Sequence, residues 1–145
     1  MDGVNANEAI SKTVPKGRVA GKALWVVQVV LGLDFIIGGS LKLLGVPSMV
    51  NLFGRIGAGQ WFRYVVGSLE LAGGIGVLIP ALGGLAALGL VSLLTAATFT
   101  NAFIVDDPPW APLFWLVVAA IVAWRRWPRT KMLFSGLRRR RVGLP

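Results

Sequence analysis

The chain has 145 residues, of which 55% are hydrophobic and only 14% charged, with a mean hydropathy of +0.71, whereas soluble domains sit nearer 45–50% apolar with about a quarter charged. This composition excludes an ordinary soluble globule and describes an integral membrane protein, long enough for one bundle of about four spans of roughly 20 residues each and no second domain. With no Cys and no His, disulfides, thiol chemistry, the usual zinc sites and histidine-ligated haem are removed together, and the net charge of +9 lies at the chain ends without the aromatic platforms that single-stranded nucleic acid needs.

Residues 1–22 read as a basic, flexible leader, polar and without apolar periodicity. Lys12, Lys16, Arg18 and Lys22 precede the first apolar run, and Arg125, Arg126, Arg129, Lys131 and Arg138 to Arg141 follow the last. The positive-inside rule therefore places both termini in the cytoplasm and requires an even number of spans. The expected fold is all-α, a polytopic four-transmembrane-helix bundle over 23–127, in the cell membrane.

The first span is expected at about 24–45. Gln28, Gly32, Asp34, Phe35, Gly38, Gly39, Lys42 and Gly45 share one arc of its helical wheel, while Val26, Val29, Val30, Leu33, Ile36, Ile37 and Leu44 fill the other. The first arc faces protein and the second lipid. Between spans, Val46, Met49, Val50 and Phe53 follow i, i+3, i+4, i+7. That spacing fits a short amphipathic helix on the outer surface, ended by Gly54, Gly57 and Gly59, and an ordered loop is the alternative.

The second span, about 61–80, carries Glu70 in its middle, and Arg63, Gly67, Glu70 and Gly74 share one face. The third, about 82–104, has Ser92, Ala96 and Thr100 at fourth-residue spacing, a small-residue face suited to close helix packing. An acidic outer loop at Asp106 and Asp107 leads to a fourth span at about 110–127 and a basic tail over 128–145. That tail reads as a topology signal, with binding to anionic lipid as the alternative, and Trp25, Trp61, Trp110, Trp124 and Trp127 form interfacial belts.

Ionisable groups inside a bilayer cost several kcal/mol unless partnered. The backbones of Lys42 and Glu70 are offset by roughly 9 Å along the membrane normal. Helical side chains lean toward their own N-terminus, so these two lean toward each other and are expected to pair. Arg63 is expected to join the pair from above. Asp34, deeper and with no cation of its own, is expected to be uncharged or hydrogen-bonded to Ser92 or Thr95. Lys42, Glu70, Asp34 and Arg63 thus form one intramembrane polar cluster, which fixes helix register, holds a ligand such as a quinone, or relays ions. The residues name no catalytic group, metal site or resident cofactor.

The segment GLDFIIGGSLKLL, followed by GSLELAGGIGVLIPALGGLAALGL, resembles the DoxX-like membrane proteins, whose first helix ends in G-x-x-K-L and whose second carries G-x-x-E-L-x-G. Lys42 and Glu70 stand at those positions. The resemblance implies a small four-helix membrane protein, accessory to or anchoring a membrane redox or oxidative-stress complex through a partner protein, with no chemistry of its own. It implies two alternatives: a quinone-linked oxidoreductase subunit, as in thiosulfate:quinone oxidoreductase, with its quinone at the Lys42 and Glu70 cluster, and a small-molecule or proton pathway. Asn101 stands about where many relatives carry a His.

Overall fold

The structure is a computed structural model that describes residues 16–141, with the side chains of residues 21–128 and Lys131. Five α-helices and a π-helical turn follow in order: α1 Lys16–Leu44, α2 Pro47–Ile56, α3 Gln60–Leu78, α4 Gly83–Thr100, the π turn Asn101–Val105, and α5 Trp110–Arg141. No strand occurs among the described residues.

Each boundary has a local cause. Gly45, at φ 70°, ends α1 in a Schellman motif: its N–H donates to Lys42 O at 3.2 Å, and the N–H of Val46 donates to Leu41 O at 3.3 Å. Pro47 then opens α2, where a missing N–H costs nothing. The apolar spacing of this segment produces a helix and not a loop, closed by Gly57 in the left-handed region at φ 79°. Its buried residue, Phe53, packs against Phe62 of α3 with ring centroids 5.9 Å apart.

All four long helices meet in one core. Leu31 and Phe35 of α1, Val77 of α3, Ala87, Leu90 and Leu94 of α4, and Ala119, Val122 and Ala123 of α5 are buried together. Large apolar side chains also cover the outside: Leu44 is 79% exposed, Phe103 74% and Trp124 81%. A surface so rich in apolar groups suits lipid, since soluble monomers seldom expose large contiguous apolar patches.

Two helices, Gly21–Leu44 and Gly83–Val105, are long and apolar enough to cross a membrane. The segments expected as second and fourth spans are helical but fall short of the same measure. Gln60, Arg63 and Glu70 interrupt the 19 residues of α3, and Arg125 and Arg126 close the apolar part of α5.

Other expectations change at the ends of the long helices. α1 begins at Lys16, inside the stretch expected to be leader, and residues 1–15 lie outside the described residues. α5 continues through Pro128 to Arg141, so the expected tail is helical over most of its length, in keeping with the helix propensity of Arg, Lys, Leu and Met. Residues 142–145 lie outside the description. The 32 residues of α5 span about 48 Å at 1.5 Å per residue. The expected small-residue face of α4 is not its packing face: Ser92 and Ala96 are exposed, and the helix buries Gly83, Gly84, Ala87, Leu90 and Leu94 instead.

Candidate functional site

α1 and α3 pack antiparallel with their backbones in contact at two levels. A methyl group on Gly39 would stand 2.7 Å from Gly67 O, and one on Gly74 would stand 2.7 Å from Gly32 O. One turn beyond Gly39 on α1 is Lys42, and one turn beyond Gly67 on α3 is Glu70. The close approach lets them meet: Lys42 Nζ donates to Glu70 Oε2 at 2.7 Å, with side chains 15% and 12% exposed. The pair expected from side-chain lean is therefore formed.

Arg63 does not join it. Although buried at 4% exposure, its guanidinium turns to the end of α1, where Nη1 donates to the Lys42 carbonyl and Nε donates to Gln60 Oε1 at 2.8 Å. The Lys42 carbonyl belongs to the last turn of α1, where it accepts from the Gly45 N–H and has a second lone pair for Arg63, and where the helix dipole favours a cation. That local demand outweighs the more distant carboxylate.

Asp34 bonds neither Ser92 nor Thr95. Both hydroxyls donate within their own helix, Ser92 to Leu88 O at 3.3 Å and Thr95 to Val91 O at 2.8 Å. Asp34 instead faces a cavity of about 260 Å³ that Lys42 and Glu70 also line. Among the described residues it makes no hydrogen bond or ion pair, although Lys42 acts electrostatically on both carboxylates.

Every helix contributes to this cavity. α1 supplies Phe35 and Gly38 beside Asp34 and Lys42, α2 supplies Leu52, Phe53 and Ile56, α3 supplies Phe62 and Val66 beside Glu70, and α5 supplies Trp115. Asn101, at the start of the π turn, lies on the wall with Thr100. Trp115 is held edge-on to Phe35, with centroids 6.3 Å apart. The result is a mostly apolar chamber with two carboxylates, one ammonium and one amide, the composition of a small-molecule site. The aromatic walls were not legible as such in the sequence, because Phe53, Phe62 and Trp115 come from three separate helices.

Two further polar links went unread in the sequence. Buried Gln28 donates to Val77 O at 3.0 Å, near the end of α3, and its Oε1 accepts from Arg126 of α5, with Nε at 3.0 Å and with Nη2 also in contact. At the other end of the bundle, Arg55 of α2 grips Asp107 at 2.7 and 3.3 Å and Val105 O at 3.4 Å.

Among the described residues the chain is all-helical, with an apolar exterior, two helices long and apolar enough to cross a membrane, and an internal ion pair beside a chamber, features that suit a small helical membrane protein. The sequence profile of the DoxX-like family matches residues 26–124, and the chain belongs to that family. No curated protein and no solved structure matches it. The matched stretch includes Asp34, Lys42, Arg63, Glu70 and the whole chamber wall.

Proposed function

We propose that this protein is a four-span protein of the cell membrane, with both termini cytoplasmic, serving as a small subunit of a membrane redox or oxidative-stress assembly. Its own contribution is a binding site for a small amphiphile of quinone type in the chamber beside Lys42 and Glu70. The observation that carries the reading is the chamber itself: Asp34, Lys42 and Glu70 open onto one apolar, aromatic-walled space of about 260 Å³. That volume lies just under the range of about 300–1,000 Å³ for drug-sized ligands, so a single-ring head group suits it with the tail left in lipid. The charge distribution supports the topology, with Lys12 before α1, Lys16, Arg18 and Lys22 in its first two turns, and further basic residues along the far half of α5. The redox setting is carried over from the family resemblance.

The test is purification from native membranes in mild detergent, with co-purifying proteins and lipids identified by mass spectrometry, followed by calorimetric titration of the protein in phosphatidylcholine nanodiscs with a short-chain quinone. Saturable binding that Lys42→Met weakens supports the site. A protein that neither carries quinone nor binds the analogue would leave the anchoring role alone, resting on a stoichiometric partner.

A further inference from the structure

The balance of charge on the chamber wall points to a narrower ligand class than size alone. Of the four ionisable residues in the cluster, three reach the wall, and they are two carboxylates and one ammonium. The ammonium is committed, since Lys42 Nζ is 2.7 Å from Glu70 Oε2. The guanidinium that would have balanced Asp34 is committed too, because Arg63 is turned to the Lys42 carbonyl and Gln60. Asp34 therefore presents a carboxylate to the chamber with no hydrogen-bond or ion-pair partner among the described residues. Charges at membrane depth are paired as a rule, and no described residue hydrogen-bonds or ion-pairs with this one, which leaves it open to a ligand in the chamber.

The rest of the wall narrows its chemistry. Phe53, Phe62 and Trp115 supply aromatic rings, a residue type whose π faces attract organic cations. Against a metal ion, no group of three or more His, Cys, Asp or Glu that could hold one occurs among the described residues. We infer that the chamber selects a lipophilic organic cation, a protonated or quaternary amine on an apolar body, with Asp34 as its counter-ion and the aromatic walls around its alkyl groups. The inference rests on the chamber being a ligand site, as proposed above, and sets an organic cation ahead of an uncharged quinone as its preferred occupant.

Benzyltrimethylammonium and its uncharged isostere neopentylbenzene separate charge from shape. Both are titrated calorimetrically, beside the short-chain quinone, into the full chain in nanodiscs of zwitterionic phosphatidylcholine, which gathers no cations by itself. The expected result is at least about tenfold tighter binding of the cation than of the isostere. Asp34→Asn should abolish that preference and Asp34→Glu should retain it. Asp34 packs no polar partner, so Asp34→Asn should unfold at the same temperature as the parent, and a thermal scan checks this. Equal binding of cation and isostere, or a preference that survives in Asp34→Asn, overturns the inference while the chamber remains a ligand site. Failure of all three compounds to bind overturns the site as well.

Discussion

Gly67 lies so close to Lys42 that a methyl group on the glycine would stand 3.0 Å from the Lys42 Cβ; the reciprocal contact, from Gly39 to the Cβ of Glu70, would be 3.2 Å. Each glycine thus clears room for the charged residue of the opposite helix. The two family motifs, G-x-x-K-L and G-x-x-E-L-x-G, acquire a joint physical meaning: glycine lets the backbones touch, and the charge three residues on meets its partner where they do.

Gly39→Ala should therefore be costly. Its new methyl would meet Gly67 O at 2.7 Å and Leu71 N at 2.8 Å, both backbone atoms that cannot rotate away. Overpacking of this kind costs about 1–3 kcal/mol. Gly89→Ala meets nothing within 4 Å and should be neutral or stabilising by up to about 1 kcal/mol. Thermal unfolding in detergent, followed by circular dichroism, distinguishes the two. Equal melting temperatures would mean that the helices do not touch at this level.

Removing one partner of the buried pair should hurt more than removing both. Lys42→Met leaves Glu70 without its 2.7 Å partner, a loss of about 3–5 kcal/mol, whereas Lys42→Met with Glu70→Leu leaves no unpaired charge. The same unfolding assay should rank the double variant above the single one. Additive losses would rule out the coupling.

The Lys42 and Glu70 pair was legible because it depends on little beyond helix direction and the lean of side chains, both general properties of α-helices. The helix α2 was legible in the spacing of Val46, Met49, Val50 and Phe53. The fate of Arg63 was not. It depends on where α1 stops, at a left-handed Gly45, and on which carbonyl that stop leaves open to a second donor. The packing face of α4 was misread for a related reason: small residues recur on both of its faces, and only the neighbours decide which face turns inward. Gln28 and Arg126 are 98 positions apart, and nothing local announces their contact.

Arg63 should resist conservative replacement. Its fork serves two acceptors at once, the Lys42 carbonyl through Nη1 and Gln60 Oε1 through Nε, a geometry that an ammonium does not reproduce. Arg63→Lys and Arg63→Met should both destabilise by about 1–3 kcal/mol. A lysine variant that melts with the parent would show that charge alone suffices at this position.

Arg55 and Asp107 should contribute little. Their side chains are 54% and 38% exposed, and exposed pairs are worth about 0.2–1 kcal/mol. A double-mutant cycle with Arg55→Ala and Asp107→Ala should give a coupling in that range, shrinking at about 1 M salt, where the screening length falls to about 3 Å. A larger coupling, insensitive to salt, would place this pair among the structural determinants of the bundle.

The cross-capping of α1 and α3 also has a consequence for biogenesis. Lys42 and its carbonyl lie on α1, while Glu70 and Arg63, which bind them, lie on α3 and are made later. A nascent chain holding only α1 presents a lone ammonium to the lipid and has reason to linger at the insertion machinery. Once α3 emerges, the two helices can depart together as a hairpin with both demands met. Ribosome-arrested chains should accordingly crosslink to the translocon when α1 has cleared the ribosome but α3 has not, and lose that crosslink once α3 has cleared it as well. Crosslinks that ignore this step would mean that each helix enters the lipid by itself.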